Sequence, residues 1–162
     1  MKVATLKHEI TFTRLSEIES SEIIAHMSEP RISEHMPLLK FKWDEASVVN
    51  FITTKEKCWS RDGLGHWAIL FDDKYVGWGG FQKEGDEWDF GLVLKTDSFG
   101  LGTRISKKAI EFAVLDPRIP FVTFLLPPSR KKLRALERLG AIFVAEIEYE
   151  GERFLKYRLE TK

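Results

Sequence analysis

Residues 88–114 constrain the fold of this chain more tightly than any other stretch. Trp88, Asp89, Phe90, Gly91, Leu92, Val93 and Leu94 read as a strand, and residues 95–99 as a short connection. Gly100, Leu101, Gly102, Thr103 and Arg104 then form a glycine loop that opens a helix. That helix runs over 102–114 with Ile105, Ala109, Phe112 and Ala113 on one face, and Asp116 and Pro117 end it. A strand therefore feeds a glycine loop, and the loop feeds a helix N-terminus.

The flanking chain supplies the remaining elements. Residues 9–14 alternate polar and apolar and form a first strand. Residues 16–27 follow as a helix, with Ser16 and Glu19 spaced as a capping box in which each side chain satisfies a free backbone N–H. Residues 28–42 hold Pro30 and Pro37 and are irregular. In the helix over 44–59, Val48, Phe51, Ile52, Lys55, Cys58 and Trp59 share one stripe, and all but Lys55 suit a buried face. The period then changes to that of strands at 66–71, 74–82 and 88–94, an antiparallel meander turning at Asp72, Asp73 and at Glu84, Gly85, Asp86. A strand over 121–126 precedes a helix over 130–139, whose Leu133, Leu136 and Leu139 face inward and whose natural left-handed stop is Gly140. Residues 142–148 and 154–159 make a hairpin around Glu150 and Gly151. No repeat or linker interrupts this order, so residues 1–162 are expected to form one α+β domain: a mixed, mostly antiparallel sheet flanked by helices.

Size and charge exclude several functions. The 162 residues suffice for one core, and 25 basic against 25 acidic residues give no general attraction to nucleic acid or anionic membranes. A single cysteine, Cys58, makes no internal disulfide, and no Cys/His cluster has zinc spacing. Residues 1–8 lack the apolar stretch of a signal peptide, and no apolar run approaches the ~20 residues of a membrane-spanning helix. The expectation is a cytoplasmic protein without a bound metal.

Chemistry concentrates at the glycine loop. The first N–H groups of a helix lack internal partners and carry the positive end of its dipole, and glycine lets an anion approach them closely. Such a place suits a pyrophosphate. The Walker spacing is missing, and the dinucleotide fingerprint fails because position 105 is Ile rather than Gly or Ala.

The chain resembles the GNAT superfamily of N-acetyltransferases, and within it the ribosomal-protein-alanine acetyltransferase-like branch. The likeness is carried by residues 10–15, by Ser28, Glu29, Pro30, Met36 and Pro37, and by residues 66–69 and 75–80. It continues through Asp89–Leu94 and through Leu136, Glu137, Arg138, Leu139, Gly140 and Ala141. The resemblance implies acetyl-CoA as cofactor and a splayed strand pair at its site. Exposed backbone groups of Leu92, Val93 and Leu94 would then hold the pantetheine arm. The family loop Gln/Arg-x-x-Gly-x-Gly/Ala maps onto Phe99, Gly100, Leu101, Gly102, Thr103 and Arg104. Gly102 matches; Phe99 and Arg104 depart from it, and Arg104 is expected either to contact a phosphate or to crowd the site. Ser129 and Lys132 stand where the family has an Asn and a Ser that touch the cofactor; Lys132 removes any hydroxyl acid there.

Acetyl transfer to an amine needs a neutral amine, a polarised carbonyl and a base. Asp89 is the first candidate base and Glu87, on the same face of its strand, the second. Tyr149 and Tyr157 are weighed as acids for the leaving thiol, against simple packing roles. Trp43 and Trp88, next to charged residues, are the tryptophans best placed to line an acceptor pocket; the others fill the core. His66 is expected as a strand-edge residue, and His35 within reach of the acceptor cleft. Arg130, Lys131, Lys132, Arg134 and Arg138 form a basic helix face, which would hold a 3′-phosphate or RNA, or simply be solvated; no aromatic platform is interleaved, which favours the last. The leading expectation is an acetyl-CoA-dependent N-acetyltransferase acting on a primary amine, a protein N-terminus or a small molecule, as monomer or homodimer. A non-catalytic acyl-CoA-binding protein and an RNA- or ribosome-associated module are the alternatives.

Overall fold

The computed structural model describes residues 8–34, 36–39, 41–129 and 133–162. Strand β1 (Ile10–Thr13) is followed by a 3-10 turn (Leu15–Glu17), helices α1 (Ser20–Met27) and α2 (Pro30–Ser33), a second 3-10 turn (Pro37–Leu39) and the long helix α3 (Glu45–Asp62). The meander is β2 (His66–Phe71), β3 (Lys74–Glu84) and β4 (Glu87–Leu94). A third 3-10 turn (Thr96–Leu101) runs into α4 (Gly102–Leu115), and β5 (Phe121–Leu126), α5 (Arg134–Arg138), β6 (Ile142–Tyr149) and β7 (Glu152–Glu160) follow.

The helix ends show which local signals prevail. Asp44 caps α3 by accepting the Ser47 N–H at 2.9 Å, and Gly63, at φ 76, closes its other end in the left-handed conformation. The expected capping box at Ser16 does not form. Ser16 lies inside the first 3-10 turn, where Leu15, 1% exposed, is drawn into the core, so α1 begins four residues later with Glu19 at its N-cap. Tertiary burial of one leucine outweighs a local cap worth about 1 kcal/mol.

All seven strands form one sheet in the order β1-β2-β3-β4-β5-β7-β6. Neighbours are antiparallel except β4 and β5, which are parallel. Alternation along β4 sorts its side chains between two cores. Trp88 and Phe90 join Trp67, Phe81, Val122 and Phe124 beneath Ala109 and Ala113 of α4. Val93 faces the other way and packs with Trp78 beneath Ile23, Met27, Val48 and Phe51 of α1 and α3. Trp43 and Trp88, expected at a pocket, are instead core residues at 7% and 4% exposure; Trp43 sits edge-on against Phe51, and the Trp88 indole donates to the Arg118 carbonyl at 3.0 Å. Tyr157 is likewise buried against Phe143.

Three glycines in β3, Gly77, Gly79 and Gly80, leave no room for a Cβ. Gly80, at φ +137, takes a conformation that L side chains rarely adopt, and a Cβ there would meet Trp67 Cε3 at 2.8 Å. Gly80→Ala is expected to lower stability by about 1–3 kcal/mol, read as a shift in the urea midpoint at unchanged m-value; an unchanged midpoint contradicts the assignment.

Candidate active site

The site begins where β4 loses a neighbour. β4 pairs with β3 along its whole length, from Glu84↔Glu87 to Gly77↔Leu94. With β5 it pairs only at Trp88↔Val122 and Asp89↔Thr123. β5 meanwhile stays with β7 over every residue from Phe121 to Leu126. The two parallel strands therefore part after Asp89, and the outer edge of residues 90–94 has no ladder partner among the described residues. Inner-strand N–H and C=O groups left this way need water or a ligand. This edge carries Leu92, Val93 and Leu94, the residues expected to hold the pantetheine arm.

At the far end of β4 the glycine loop differs from its expected form. Thr96–Leu101 is a 3-10 turn continuous with α4, and the Gly102 N–H is already spent on the Phe99 carbonyl. The first N–H of the turn, Thr96, donates to Glu29 Oε2 at 3.0 Å. Gly102 therefore does not offer a free N–H, because one turn of tighter helix precedes it. The dipole of α4 remains, with no side-chain cap and no acidic residue in its first turn. Gly100 borders open space, since a Cβ there would meet nothing within 4 Å, and a Cβ on Gly102 would touch only Leu94 Cδ1, at 3.6 Å. Leu101 packs into the small core around Ile105, and Thr103 is exposed. Phe99, 45% exposed, lies 5.3 Å from the Arg31 guanidinium. Arg104 turns toward β1, donating to the His8 carbonyl at 2.9 Å and lying 5.6 Å from the Phe71 ring. A phosphate contact from Arg104 would require it to leave these partners. Ser129 is an exposed residue of the turn after β5; Lys132, with His35, Arg130 and Lys131, lies outside the described residues.

On the face opposite α4, a polar cluster surrounds the point of parting. The Thr123 hydroxyl donates to Asp89 Oδ1 at 3.0 Å, joining the two strands at their last shared position. Burial pushes the Asp89 carboxyl up to about 8; the Thr123 hydrogen bond opposes the rise, as does Lys156, while Glu84 and Glu87 add to it. Glu87 instead forms an ion pair with Lys156 at 2.6 Å. From α3, Lys55 reaches Gln82 Oε1 at 2.9 Å, and the Gln82 amide donates to Glu84 Oε1 at 2.9 Å. The Tyr149 hydroxyl donates to Glu84 Oε2, also at 2.9 Å, and burial with this carboxylate raises its proton affinity. Burial brings the Lys55 ammonium down to about 8, partly offset by Cys58, Glu84 and Asp89. Burial thus pushes both Asp89 and Lys55 toward their neutral forms.

The sequence reading named Asp89 and Glu87, which lie here, but missed Lys55 and Thr123. Lys55 had a visible signal: it was the one charged side chain on the apolar stripe of α3. Thr123 had none, because its partner depends on which strand lies beside β4. A cavity of about 690 Å³, lined by Glu17, Glu22, Leu70, Asp73, Tyr75, Lys95, Asp97 and Ser98 among others, opens on the β1–β3 side; it borders the 3-10 turn but is lined by no residue of β4 or β5.

No family model and no curated protein sequence matches the chain. Solved structures do. An acetyltransferase from Agrobacterium tumefaciens superposes with TM-score 0.75 at 20% identity, over 99% of this chain and 96% of that one. A GNAT-family acetyltransferase from Bacillus anthracis gives 0.72 at 14% identity, over 96% and 98%. The AAC(6′)-Ib structure in complex with ribostamycin and coenzyme A gives 0.76 at 14% identity, over 93% of each chain. The chain therefore has the α+β fold of GNAT acetyltransferases.

Asp89 links this geometry to stability. Its carboxyl has an ordinary value of 3.8 and about 8 in the fold, so the folded state holds the proton more tightly than the unfolded one. That contribution is full below about pH 4 and is lost as pH rises toward 8. Asp89→Asn is expected to match the wild-type melting temperature near pH 4 and to exceed it at pH 9; parallel curves across that range would contradict the burial of a protonated Asp89.

Proposed function

We propose that the protein is an acetyl-CoA-dependent N-acetyltransferase whose acceptor is a primary amine, either a protein N-terminus or a small molecule. The observation that carries this reading is the parting of β4 from β5 after Asp89, with an unpaired backbone edge on one side and a proton-accepting carboxyl at its root. A structural neighbour that holds coenzyme A together with ribostamycin supports the pairing of cofactor and acceptor. The likeness to the ribosomal-protein-alanine branch rests on the sequence pieces and favours a protein N-terminus.

The residues fit the cofactor. Backbone groups of Leu92, Val93 and Leu94 would take the pantetheine amides. The start of α4, cleared by Gly100 and Gly102, would take the pyrophosphate, with Phe99, Leu101, Thr103, Arg104 and Ser129 as the other described residues proposed to contact the cofactor. Acetyl-CoA, when bound, supplies the acyl thioester that an amine attacks. An acceptor arriving as ammonium must lose one proton, and the Asp89 carboxylate is the group placed to accept it. Glu87, held by Lys156, serves the acceptor through its charge. Lys156, the cation that opposes the rise in Asp89, favours its ionised form.

Calorimetry with acetyl-CoA tests binding, and thiol release over a panel of free peptide N-termini, polyamines, amino acids and ribostamycin tests transfer. No binding at millimolar acetyl-CoA sinks the whole reading; binding without thiol release leaves a non-catalytic acyl-CoA-binding protein. Gly100→Val is expected to weaken acetyl-CoA about tenfold or more, by filling the approach to the α4 dipole, at unchanged melting temperature. For transfer, kcat/KM is expected to climb roughly tenfold per pH unit up to about pH 8 and then level off. Asp89→Asn is expected to lower it by about 10²–10⁴ and to flatten the profile; an Asp89→Asn enzyme with the wild-type rate and profile removes Asp89 from the base role.

A further inference from the structure

We infer that His66 is a further acceptor-contacting residue of this site, its imidazole hydrogen-bonding the amine beside Asp89. The inference rests on the amine-acetyltransferase reading above and adds a residue to it.

His66 opens β2, in register with Gly80 of β3, which is in register with Gly91 of β4. Its ring lies across this row on the α3 side, 5.4 Å from the Trp78 ring. Nε2 is the atom nearest β4: a Cβ built on Gly91 would meet it at 3.6 Å. Gly91 lies two residues beyond Asp89, the last position paired with β5. Residues two apart on a strand share a face and lie about 7 Å from each other. The imidazole edge over Gly91 and the Asp89 carboxyl therefore lie as neighbours on one face of β4, at the root of the parted strands. An amine between them would reach both.

The ring is 7% exposed, yet neither Nδ1 nor Nε2 has a hydrogen-bond partner among the described residues. A buried polar atom left unpaired costs about 1–3 kcal/mol. A phenylalanine would keep the ring contact with Trp78 at no such cost, so packing alone does not account for an imidazole here. A ligand supplying the missing partner does.

Burial, and then the charge of Lys55, hold the imidazole neutral, well below its ordinary range. A neutral imidazole has one ring nitrogen that donates and one that accepts. It accepts an N–H of the amine without taking the proton, which goes to Asp89. The two groups thus divide the work: the carboxylate receives the proton, and the imidazole fixes the direction of the nitrogen lone pair.

Two variants test the assignment, His66→Phe and His66→Gln, with the amine from the panel that wild type turns over best. His66→Phe is expected to melt at or above the wild-type temperature and to lose about tenfold or more in acceptor kcat/KM. The KM for acetyl-CoA should stay within about twofold, and His66→Gln, which can still accept an N–H, should recover most of the loss. A His66→Phe enzyme that keeps wild-type acceptor kinetics reduces His66 to packing and leaves the proposed function standing. Wild type that releases no thiol with any amine of the panel removes both. Should His66→Phe fail to fold, ¹⁵N-histidine spectra of wild type decide: adding that amine with coenzyme A is expected to shift the His66 ring nitrogens, and unmoved resonances overturn the inference.

Discussion

β4 lies between neighbours that lead in different directions. β3 holds its whole length, whereas β5 is held by β7 and touches β4 only at Trp88 and Asp89. A strand inside a sheet normally spends both edges on its neighbours. Here one edge is spent and the other opens midway, with the Thr123 hydroxyl on Asp89 as the last link. The fold keeps this arrangement because hydrophobic packing holds both strands: Trp88 and Phe90 with Val122 and Phe124 under α4, and Val93 under α1 and α3. The opening is thus framed by two cores, and its unpaired backbone is a built feature of the sheet.

The same framing sets the electrostatics. Asp89 and Lys55 are surrounded by enough protein that each favours its neutral form, and both come to about 8. Neither makes an ion pair among the described residues, although Glu87 and Lys156 beside them do. The outer pair is closed on itself, while burial pushes the inner groups toward their neutral forms. The base role proposed for Asp89 needs a raised proton affinity, and burial supplies it.

Periodicity made most of the architecture legible. Strand-like periods placed β2, β3 and β4, a short apolar run placed β5, the stripe of Val48, Phe51 and Cys58 placed α3, and Gly140 marked the end of α5. Local signals failed where distant contacts overrode them: Leu15 broke the helix expected at Ser16, and Trp43 and Trp88 went to the core. The site was legible in part. The glycines at 100 and 102 and the carboxylate at 89 are sequence features; the structure puts Asp89 where β4 and β5 part and the glycines beyond the end of β4. The 3-10 turn that takes the Gly102 N–H was not visible, because 3-10 and α-helical starts share the same residues. His66 and Thr123 acquire meaning only from their register against β4, and register across three strands is a property of the folded sheet.

The central claim is that the parted edge of β4 and the start of α4 are one binding surface. Amide hydrogen exchange resolved by residue, with and without saturating acetyl-CoA, tests it most directly. The account predicts slowed exchange at residues 91–94 and 100–104 on adding acetyl-CoA. Protection centred instead on Glu17, Glu22, Leu70 and Asp73, around the cavity on the β1–β3 side, with β4 unchanged, would contradict it.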